Sequence, residues 1–98
     1  MKVEIEQQVV DFIRGCAPHP RKVLREALRA LAQEKGDIRP LEGPLQDYYR
    51  LRVGSYRVIF RYAVEHHRSS IRCVFAERRS IVYEVFERML TEEAPNRR

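Results

Sequence analysis

The sequence predicts an α+β fold: a short N-terminal strand and two helices packed on a mainly antiparallel four-stranded sheet, followed by a short C-terminal helix. Two observations support this. An apolar stripe at helical spacing occupies the first half of the chain, and three segments rich in Val, Ile, Tyr and Phe occupy the second. A length of 98 residues is that of one domain. We therefore expect one domain over residues 1–98, with helices on one face of the sheet and residues 91–98 as a frayed polar tail.

The first predicted elements are a strand and a helix. In "MKVEI", Val3 and Ile5 alternate with polar residues, which is the pattern of a half-buried strand. In "QQVVDFIRGC", apolar residues recur at helical spacing from Val9 to Cys16, and Gly15 marks the expected end of this helix.

A longer helix is predicted in "PHPRKVLREALRALAQEKGD". Pro20 suits a first helical turn and Gly36 suits a C-terminal cap, so these two residues bracket the helix. Between them, one apolar stripe is formed by Leu24, Leu28 and Leu31. We expect this stripe to pack on the sheet.

The second half of the chain is predicted to supply most of the sheet. The segment "IRPLEGPLQ" contains two prolines and a glycine, which indicates a connecting loop. Three strands are expected in "DYYRLRV", "YRVIFRYAV" and "SIRCVFAE", with "EHHRSS" joining the last two. From Ile81 to Met89, apolar residues recur at helical spacing, so a short helix closes the domain.

The chain carries a net charge of +5 and a pI near 9.6, which favours an anionic partner such as RNA, DNA or an acidic protein. The first residues contain no apolar signal segment, and no run approaches the roughly 18 apolar residues of a membrane span. We therefore expect a cytoplasmic protein with no membrane partner. Cys16 and Cys73 are then expected to be reduced, buried thiols, although a disulfide between them stays open. His66 and His67 lack further ligands, so we expect no metal and no cofactor.

A tight hairpin is predicted in "YYRLRVGSYRVIFRY", where Gly54 and Ser55 form a two-residue turn. This turn places Arg52 opposite Arg57. Because side chains alternate between the faces of a strand, one face is a core face. It carries Tyr49, Leu51, Val53, Tyr56, Val58 and Phe60.

The other face of the hairpin carries Arg50, Arg52, Arg57 and Arg61. Like charges directly opposite each other cost about 0.2–1 kcal/mol in a sheet, and no acidic residue alternates with these arginines. The nearest carboxylate on the first strand is Asp47. We interpret this face as an anion-binding surface, because guanidinium groups bind phosphate in a bidentate manner. The alternative is an ordinary solvated face whose arginine stems cover apolar surface.

These segments resemble a known family. "LEGPLQDYYRLRVGSYRVIFRY", followed by "IRCVFAERRSIVY", is similar to the hairpin and C-terminal segment of the RelE/ParE superfamily of type II toxins. The resemblance covers nearly the whole chain. It implies one of two activities: RelE-like members are ribosome-dependent endoribonucleases that cut messenger RNA in the A site, and ParE-like members poison DNA gyrase. We favour the RelE-like branch because the basic residues of that branch are retained.

The resemblance implies catalytic roles for several residues. Arg50 and Arg52 match two basic positions of the RelE-like branch, where they are expected to hold phosphates. Arg57 matches an arginine that follows the hairpin turn, and Tyr83 matches a tyrosine near the C-terminus. The C-terminal arginine is expected at Arg78, with Arg79 as the second choice.

Two departures from the family pattern concern the general base. Arg52 replaces a lysine proposed as the base in one member, and arginine stays protonated in proteins. Glu77 stands where other members have histidine or lysine, so Glu77 and Tyr83 are the candidates for acid and base. The alternatives are a salt bridge from Glu77 to a neighbouring arginine and a Tyr83 ring that only packs on the sheet. Arg61 and Arg79 are expected to bind RNA.

The chemistry that the resemblance implies is metal-independent RNA cleavage. The 2′-hydroxyl attacks the adjacent phosphate, and the products are a 2′,3′-cyclic phosphate and a 5′-hydroxyl end. The expected partners are the ribosome, messenger RNA and an acidic, RelB-like antitoxin that wraps the sheet and covers or displaces the helix from Ile81 to Leu90. The alternatives are a gyrase inhibitor and a member that binds nucleic acid or antitoxin without catalysis.

Overall fold

A computed structural model describes residues 1–93 and confirms the α+β class. Its helices and strands are β1 (Lys2–Ile5), α1 (Gln7–Gly15), α2 (Pro18–Leu31), β2 (Asp37–Pro40), β3 (Tyr49–Val53), β4 (Tyr56–Glu65), β5 (Arg68–Arg78) and α3 (Val82–Glu93). One five-stranded sheet has the order β1-β5-β4-β3-β2. Only the β1–β5 pair is parallel, and the other neighbours run antiparallel.

The strand β2 corrects the prediction of a loop after α2 and of a four-stranded sheet. Asp37–Pro40 pairs antiparallel with β3 and forms one edge of the sheet. Pro40 is the last residue of this strand. Proline has no backbone N–H to donate, and an edge strand tolerates this because one of its sides has no neighbouring strand. The predicted loop therefore shrinks to the segment after Pro40, with a short 3₁₀ turn at Gly43–Leu45.

The end of α2 also differs from the prediction, because Gly36 does not cap the helix. The N–H of Glu34 donates to the carbonyl of Leu31 (2.8 Å), and the N–H of Lys35 donates to that of Ala30 (3.1 Å). Glu34 has φ 55°. This pair of bonds is the Schellman pattern, in which Glu34 takes the left-handed position usually given to glycine.

Gly36 is instead required by a close contact with β3. Its φ is +131°, and a Cβ there would lie 2.7 Å from Cδ1 of Leu51. Leu51 is almost completely buried, at 1% exposure, so it has little room to move. The turn into β2 thus passes the core at a point where only glycine fits.

Replacing Gly36 with alanine is expected to lower the free energy of unfolding by about 1–3 kcal/mol, because overpacking and backbone strain act together. Urea denaturation followed by circular dichroism measures this change. Gly15→Ala is the matched control, since a Cβ at Gly15 meets nothing within 4 Å. Equal stability of Gly36→Ala and the wild type would contradict the close contact.

The predicted hairpin register is confirmed at every pair from Tyr49–Phe60 to Val53–Tyr56. We call the sheet face that carries Leu51, Val58 and Phe60 the inner face; these residues are buried against the leucine stripe of α2. Phe12 of α1 packs edge-to-face on Tyr56, with ring centroids 5.7 Å apart. The predicted core face and its helical cover are therefore both correct.

The opposite, outer face is also covered in part, which corrects the prediction that helices lie on one face only. Phe86 of α3 is buried with Ile59 and Phe75 of the sheet, and its ring meets Tyr48 edge-to-face at 4.9 Å. Phe75 reaches this face because β5 contains a bulge at Val74, which reverses the alternation of side chains after Cys73. The apolar face of α3 thus has its own small core.

The prediction of a frayed tail from residue 91 is wrong for residues 91–93. Helix α3 continues to Glu93, so residues 91–93 are helical. The remaining tail, residues 94–98, lies outside the described residues.

Both cysteines are free thiols, as predicted, with Cys73 buried and Cys16 half-buried. Burial raises the pKa of Cys73 to about 12. The thiolate is the reactive form of cysteine, so Cys73 is chemically inert in the folded protein.

Stability should fall at alkaline pH because of Tyr62. Burial, followed by the hydrogen bond that Tyr62 donates to Glu34 (2.8 Å), raises the pKa of Tyr62 from 10.0 to about 12. The folded state therefore favours the neutral phenol, and this contribution is lost as pH rises from 10.0 towards about 12. Melting temperatures of wild type and Tyr62→Phe across this range test the effect; the variant should show a shallower decline. Parallel declines would contradict it.

Candidate nucleic-acid interface

Three of the predicted arginines, Arg50, Arg52 and Arg57, lie in two rows that cross the outer face of the sheet. The first row runs Asp37, Arg52, Arg57, Glu77 across β2, β3, β4 and β5. The second runs Arg39, Arg50, Ile59, Phe75 across the same strands. Cross-strand neighbours have Cβ atoms about 4.5–5.5 Å apart, so each row is a line of adjacent side chains.

The predicted juxtaposition of Arg52 and Arg57 is confirmed, but an acidic residue closes each end of their row. Asp37 was not expected beside these arginines, because the sequence analysis placed it after the end of a helix and not in a strand, whereas Glu77 was already a candidate for the acid or base at this site. Arg52 is exposed and makes no ion pair within 4.0 Å among residues 1–93. It is therefore available to an external anion.

Arg50 is less available than predicted. Its Nη1 lies 3.3 Å from Oδ1 of Asp37 and 3.2 Å from the Asp37 carbonyl oxygen. Its side chain is only 15% exposed, whereas that of Asp37 is 46% exposed. The expectation that no acid neutralises the arginine face is wrong at this position. Arg50 ties the edge strand β2 to β3.

Arg39 is the residue that the sequence analysis missed. It lies opposite Arg50 in the second row, is exposed, and forms no ion pair within the described part of the chain. The loop prediction for its segment removed it from consideration. The sequence did contain a signal for this strand. In "DIRP", the apolar Ile38 stands between the polar residues Asp37 and Arg39, which is the alternation of a strand, and Ile38 packs against the core.

Arg57 is fixed in place by its own hairpin. It is 8% exposed, and its Nη1 donates to the carbonyls of Gly54 (2.8 Å) and Tyr56 (2.9 Å). The other two guanidinium nitrogens have no hydrogen-bond partner in residues 1–93, and neither is a buried unsatisfied atom. These two nitrogens therefore keep some access to solvent although the side chain is mostly buried, and the hydrogen bonds of Nη1 fix their position.

Glu77 lies opposite Arg57 and is half-buried. Its Oε1 accepts a hydrogen bond from the backbone N–H of Arg78 at 2.9 Å. Within the described residues it forms no ion pair with Arg57, Arg78 or Arg79, so the salt-bridge alternative is not observed. A carboxylate is thus placed next to the fixed guanidinium without being neutralised by it.

The two candidate C-terminal arginines lie in different places. Arg78 pairs with Tyr56, so it belongs to the inner face, where it lines a cavity of about 380 Å³ with Phe12 and Cys16. Arg79 is anchored beside the hairpin turn, because its N–H donates to the carbonyl of Ser55 at 2.9 Å. The structure therefore places the backbone of Arg79 beside the hairpin turn that precedes Arg57.

Tyr83 lies in the first turn of α3, half-buried against the outer core formed by Ile59 and Phe75. Those two residues stand two positions from Arg57 and Glu77 on the same face, so the core that Tyr83 packs on adjoins the first row. This packing agrees with the alternative in which the Tyr83 ring packs on the sheet, and part of the residue stays accessible to solvent.

Arg61 is separated from the other arginines. It lies about 13 Å along β4 from Arg57 at strand spacing, with Ile59 between them under α3. Its partner across the strand, Arg72, is bound to Glu4 at 2.7 Å. Arg61 thus belongs to another part of the outer face.

His66 and His67 form the β4–β5 turn, with φ of 50° and 65°. Within residues 1–93, no group of three or more His, Cys, Asp or Glu residues is placed to hold a metal ion. No helix in this range is both long and apolar enough to cross a membrane.

Comparison with known proteins identifies relatives by structure. No protein-family model and no curated protein sequence matches the chain. Among solved structures, it is similar to an archaeal RelE–RelB complex from Pyrococcus horikoshii, with 30% identity and a TM-score of 0.59 over 80% of this chain and 93% of the other. It is also similar to the RelBE2 toxin–antitoxin complex from Mycobacterium tuberculosis (18% identity, TM-score 0.67, 80% and 96% covered). A third similar structure is a YoeB/ParE toxin from Agrobacterium tumefaciens, with 15% identity and a TM-score of 0.64 over 80% of this chain and 98% of the other.

These matches carry different weight. The two structures below 20% identity establish only the fold. The archaeal protein is matched over 93% of its length at 30% identity, so it is similar to this chain in sequence as well as in fold.

Proposed function

Because the chain belongs to the RelE/ParE superfamily of toxins, we propose that it is the toxin of a type II toxin–antitoxin pair and cuts messenger RNA in the ribosomal A site. The observation that carries this proposal is the group of arginines at the turn end of the outer face. Arg57 is held rigidly by its hairpin, Arg52 lies directly opposite it, and Arg39 lies on the same face two strands away; neither Arg52 nor Arg39 forms an ion pair within residues 1–93. Such an array suits a polyanion.

In the proposed reaction, the ribose 2′-hydroxyl attacks the adjacent phosphate, the bond to the 5′-oxygen breaks, and a 2′,3′-cyclic phosphate and a 5′-hydroxyl end form. Negative charge grows on the phosphate oxygens during this step. Arg57 stabilises that charge, since a preorganised donor is worth about 2.7–4 kcal/mol when it is aimed at the transition state. Arg52 and Arg39 bind the flanking phosphates, and Arg79 is better placed than Arg78 to assist Arg57.

A general base must accept the 2′-proton and an acid must protonate the leaving 5′-oxygen. Arg52 cannot be the base, because guanidinium groups keep their proton in proteins. Glu77 lies opposite Arg57 in the first row, and Tyr83 packs on the core that adjoins this row. We propose that these two residues share the acid and base roles, with Tyr83 also stacking on an unpaired base.

The cleavage is proposed to require the ribosome. Arg52 lies on the open part of the outer face, and neither Arg52 nor Arg57 lines the cavities of about 380, 570 and 1000 Å³ in the described residues. The protein alone therefore has little means to orient the RNA, and orientation is worth roughly 7–11 kcal/mol. The ribosomal A site would supply it.

An acidic antitoxin is the proposed partner. The chain carries +5, and two of its structural relatives were solved as complexes of RelE with RelB or of RelBE type. Charge complementarity of a basic toxin with an acidic partner speeds association and fixes orientation.

A second candidate is a member of the superfamily that binds nucleic acid without cutting it. Two observations favour it: Arg50 is already paired with Asp37, and Arg78 belongs to the inner face. Both residues match catalytic positions of RelE-like toxins, so this chain would have fewer free cations around the phosphate than its relatives.

The test uses ribosomes programmed with a messenger that leaves the A site empty. Wild type should cut within the A-site codon and leave a cyclic phosphate end, and Arg52→Ala should lose most of this activity. Arg68→Ala, an exposed arginine at the distant β4–β5 turn, is the matched control and should cut like wild type. Intact messenger at excess wild-type protein would reject the proposal, and a gyrase supercoiling assay would then test the ParE-like alternative.

A further inference from the structure

The backbone of β5 loses its strand neighbour on one side before the strand ends. Strand β1 pairs with β5 only as far as Ile5 and Cys73, and the N–H of Glu6 then donates to the carbonyl of Cys73 at 3.0 Å. Strand β5 itself continues to Arg78. Among residues 1–93, no strand pairs with this last stretch on the side away from β4. We call residues 74–78 on that side the free edge of β5.

The side chain of Gln8, in the first turn of α1, takes the place of the missing strand. Its Nε2 donates to the carbonyl of Ala76, and its Oε1 accepts from the N–H of Ala76, both at 2.8 Å. A side-chain amide carries a donor and an acceptor together, so it can pair with both backbone groups of one residue. The adjacent Val9 is completely buried in the core, which fixes this turn of the helix.

Beyond this point, α1 and β5 separate. A cavity of about 380 Å³ lies between them, and its lining includes Asp11 and Gly15 of α1 and Glu77 and Arg78 of β5. Packed side chains therefore do not fill the space beside the end of the strand. Within the described residues, the two bonds of Gln8 are the only hydrogen bonds that join α1 to the free edge.

The free edge also holds the carboxylate of Glu77. Backbone groups of successive residues in a strand point to opposite sides, so those of Arg78 lie on the same side as those of Ala76. The N–H of Arg78 donates to Oε1 of Glu77 at 2.9 Å. The carboxylate is thus held on the edge that Gln8 anchors, whereas the pairing of Glu77 with Arg57 fixes only the register of the two strands.

We propose that Gln8 is a positioning residue, which holds the carboxylate of Glu77 beside Arg57 in the orientation that proton transfer needs. Gln8 acts through the backbone of Ala76 and does not touch the RNA. The inference deepens the cleavage proposed above and rests on the acid or base role given there to Glu77. Without the two hydrogen bonds, the free edge shifts and the carboxylate shifts with it. A displacement of about 1 Å can slow a reaction as much as 10²-fold.

The experiment is a double-mutant cycle on programmed ribosomes, with single-turnover rates measured at saturating protein. Gln8→Met keeps the length of the side chain and removes both hydrogen bonds. It should lower the rate about tenfold and leave the half-saturating protein concentration within about twofold of wild type, because the arginine surface is unchanged. Glu77→Gln should lower the rate about 10²-fold, the usual contribution of a general acid or base. In the double variant, Gln8→Met should add no further loss, because its effect passes through Glu77.

Gln7→Ala is the matched control and should cut like wild type. It removes the neighbouring side chain of the same helical turn, which bonds only to the exposed Asp11 at 2.8 Å. Amide hydrogen exchange provides a second readout that does not depend on cleavage. In Gln8→Met, the amides of Ala76 and Arg78 should both exchange faster than in the wild type, and those of β1 should not change. If Gln8→Met does not fold, Gln8→Asn replaces it, since the shorter side chain cannot reach both groups of Ala76.

Three results overturn the inference. One is a loss from Gln8→Met that multiplies the loss from Glu77→Gln in the double variant, which would make Gln8 a purely structural residue. The second is a wild-type rate in folded Gln8→Met, and the third is unchanged exchange of the Arg78 amide. If the wild type cuts no messenger, the function proposed above fails, and the exchange of the Arg78 amide still decides whether Gln8 positions Glu77.

Discussion

Replacing Arg57 with alanine is expected to slow A-site cleavage about 10²–10³-fold, the usual effect of removing one preorganised donor from a developing oxyanion. The physical reason is the rigidity of the guanidinium. Two hydrogen bonds from Nη1 to hairpin carbonyls, at 2.8 and 2.9 Å, hold it in one orientation before RNA arrives. Quenched single-turnover cleavage of programmed ribosomes measures the rate of the chemical step directly.

The same hydrogen bonds mean that Arg57→Ala also affects the fold. Hydrogen bonds to charged groups contribute about 1.5–3 kcal/mol, so the melting temperature of the variant should fall. Arg57→Lys separates the two effects, because it keeps the charge but loses the planar fork. We expect Arg57→Lys to remain folded at the assay temperature and still to cut at least tenfold more slowly than wild type. Wild-type rates in a folded Arg57→Lys protein would contradict the proposed role.

Arg39→Gln is expected to weaken binding of a single-stranded RNA and to reduce the slope of log K against log salt by about 0.7, the value for one phosphate contact. Arg50→Gln is expected to change this slope much less, because its guanidinium already lies against Asp37 at 3.2–3.3 Å. Arg39 and Arg50 face each other across β2 and β3, so they are a matched pair in which only Arg50 has an acidic partner. Fluorescence anisotropy over a salt series measures both slopes.

Arg68→Gln serves as the control for total charge in that series, since it removes one exposed positive charge far from the two rows. Asp37→Asn provides a further check: with its partner neutral, Arg50 should bind RNA more strongly and the slope should steepen. If Arg39→Gln kept the wild-type slope and Arg50→Gln reduced it, Arg50 and not Arg39 would be the residue that contacts phosphate.

The sequence alone determined the features that depend on local rules. The two-residue Gly54-Ser55 turn set the hairpin register, and strand alternation then placed Leu51 and Val58 on the core side and Arg52 opposite Arg57. The leucine stripe of α2 was also predicted from the sequence, because apolar residues spaced near the helical period of 3.6 residues fall on one face of the helix. These patterns act over a few residues, so no knowledge of distant segments was needed.

Only the tertiary structure decided which distant groups meet. Edge pairing turned a proline-containing loop into β2, and this strand brought Asp37 against Arg50 and added Arg39 to the cationic face. A bulge in β5 placed Phe75 under α3, Glu77 opposite Arg57 and Arg78 opposite Tyr56. Such outcomes depend on burial and pairing between segments far apart in the chain, where several arrangements satisfy the same local pattern. Long-range packing therefore selected which of the predicted arginines remain free to bind an anion.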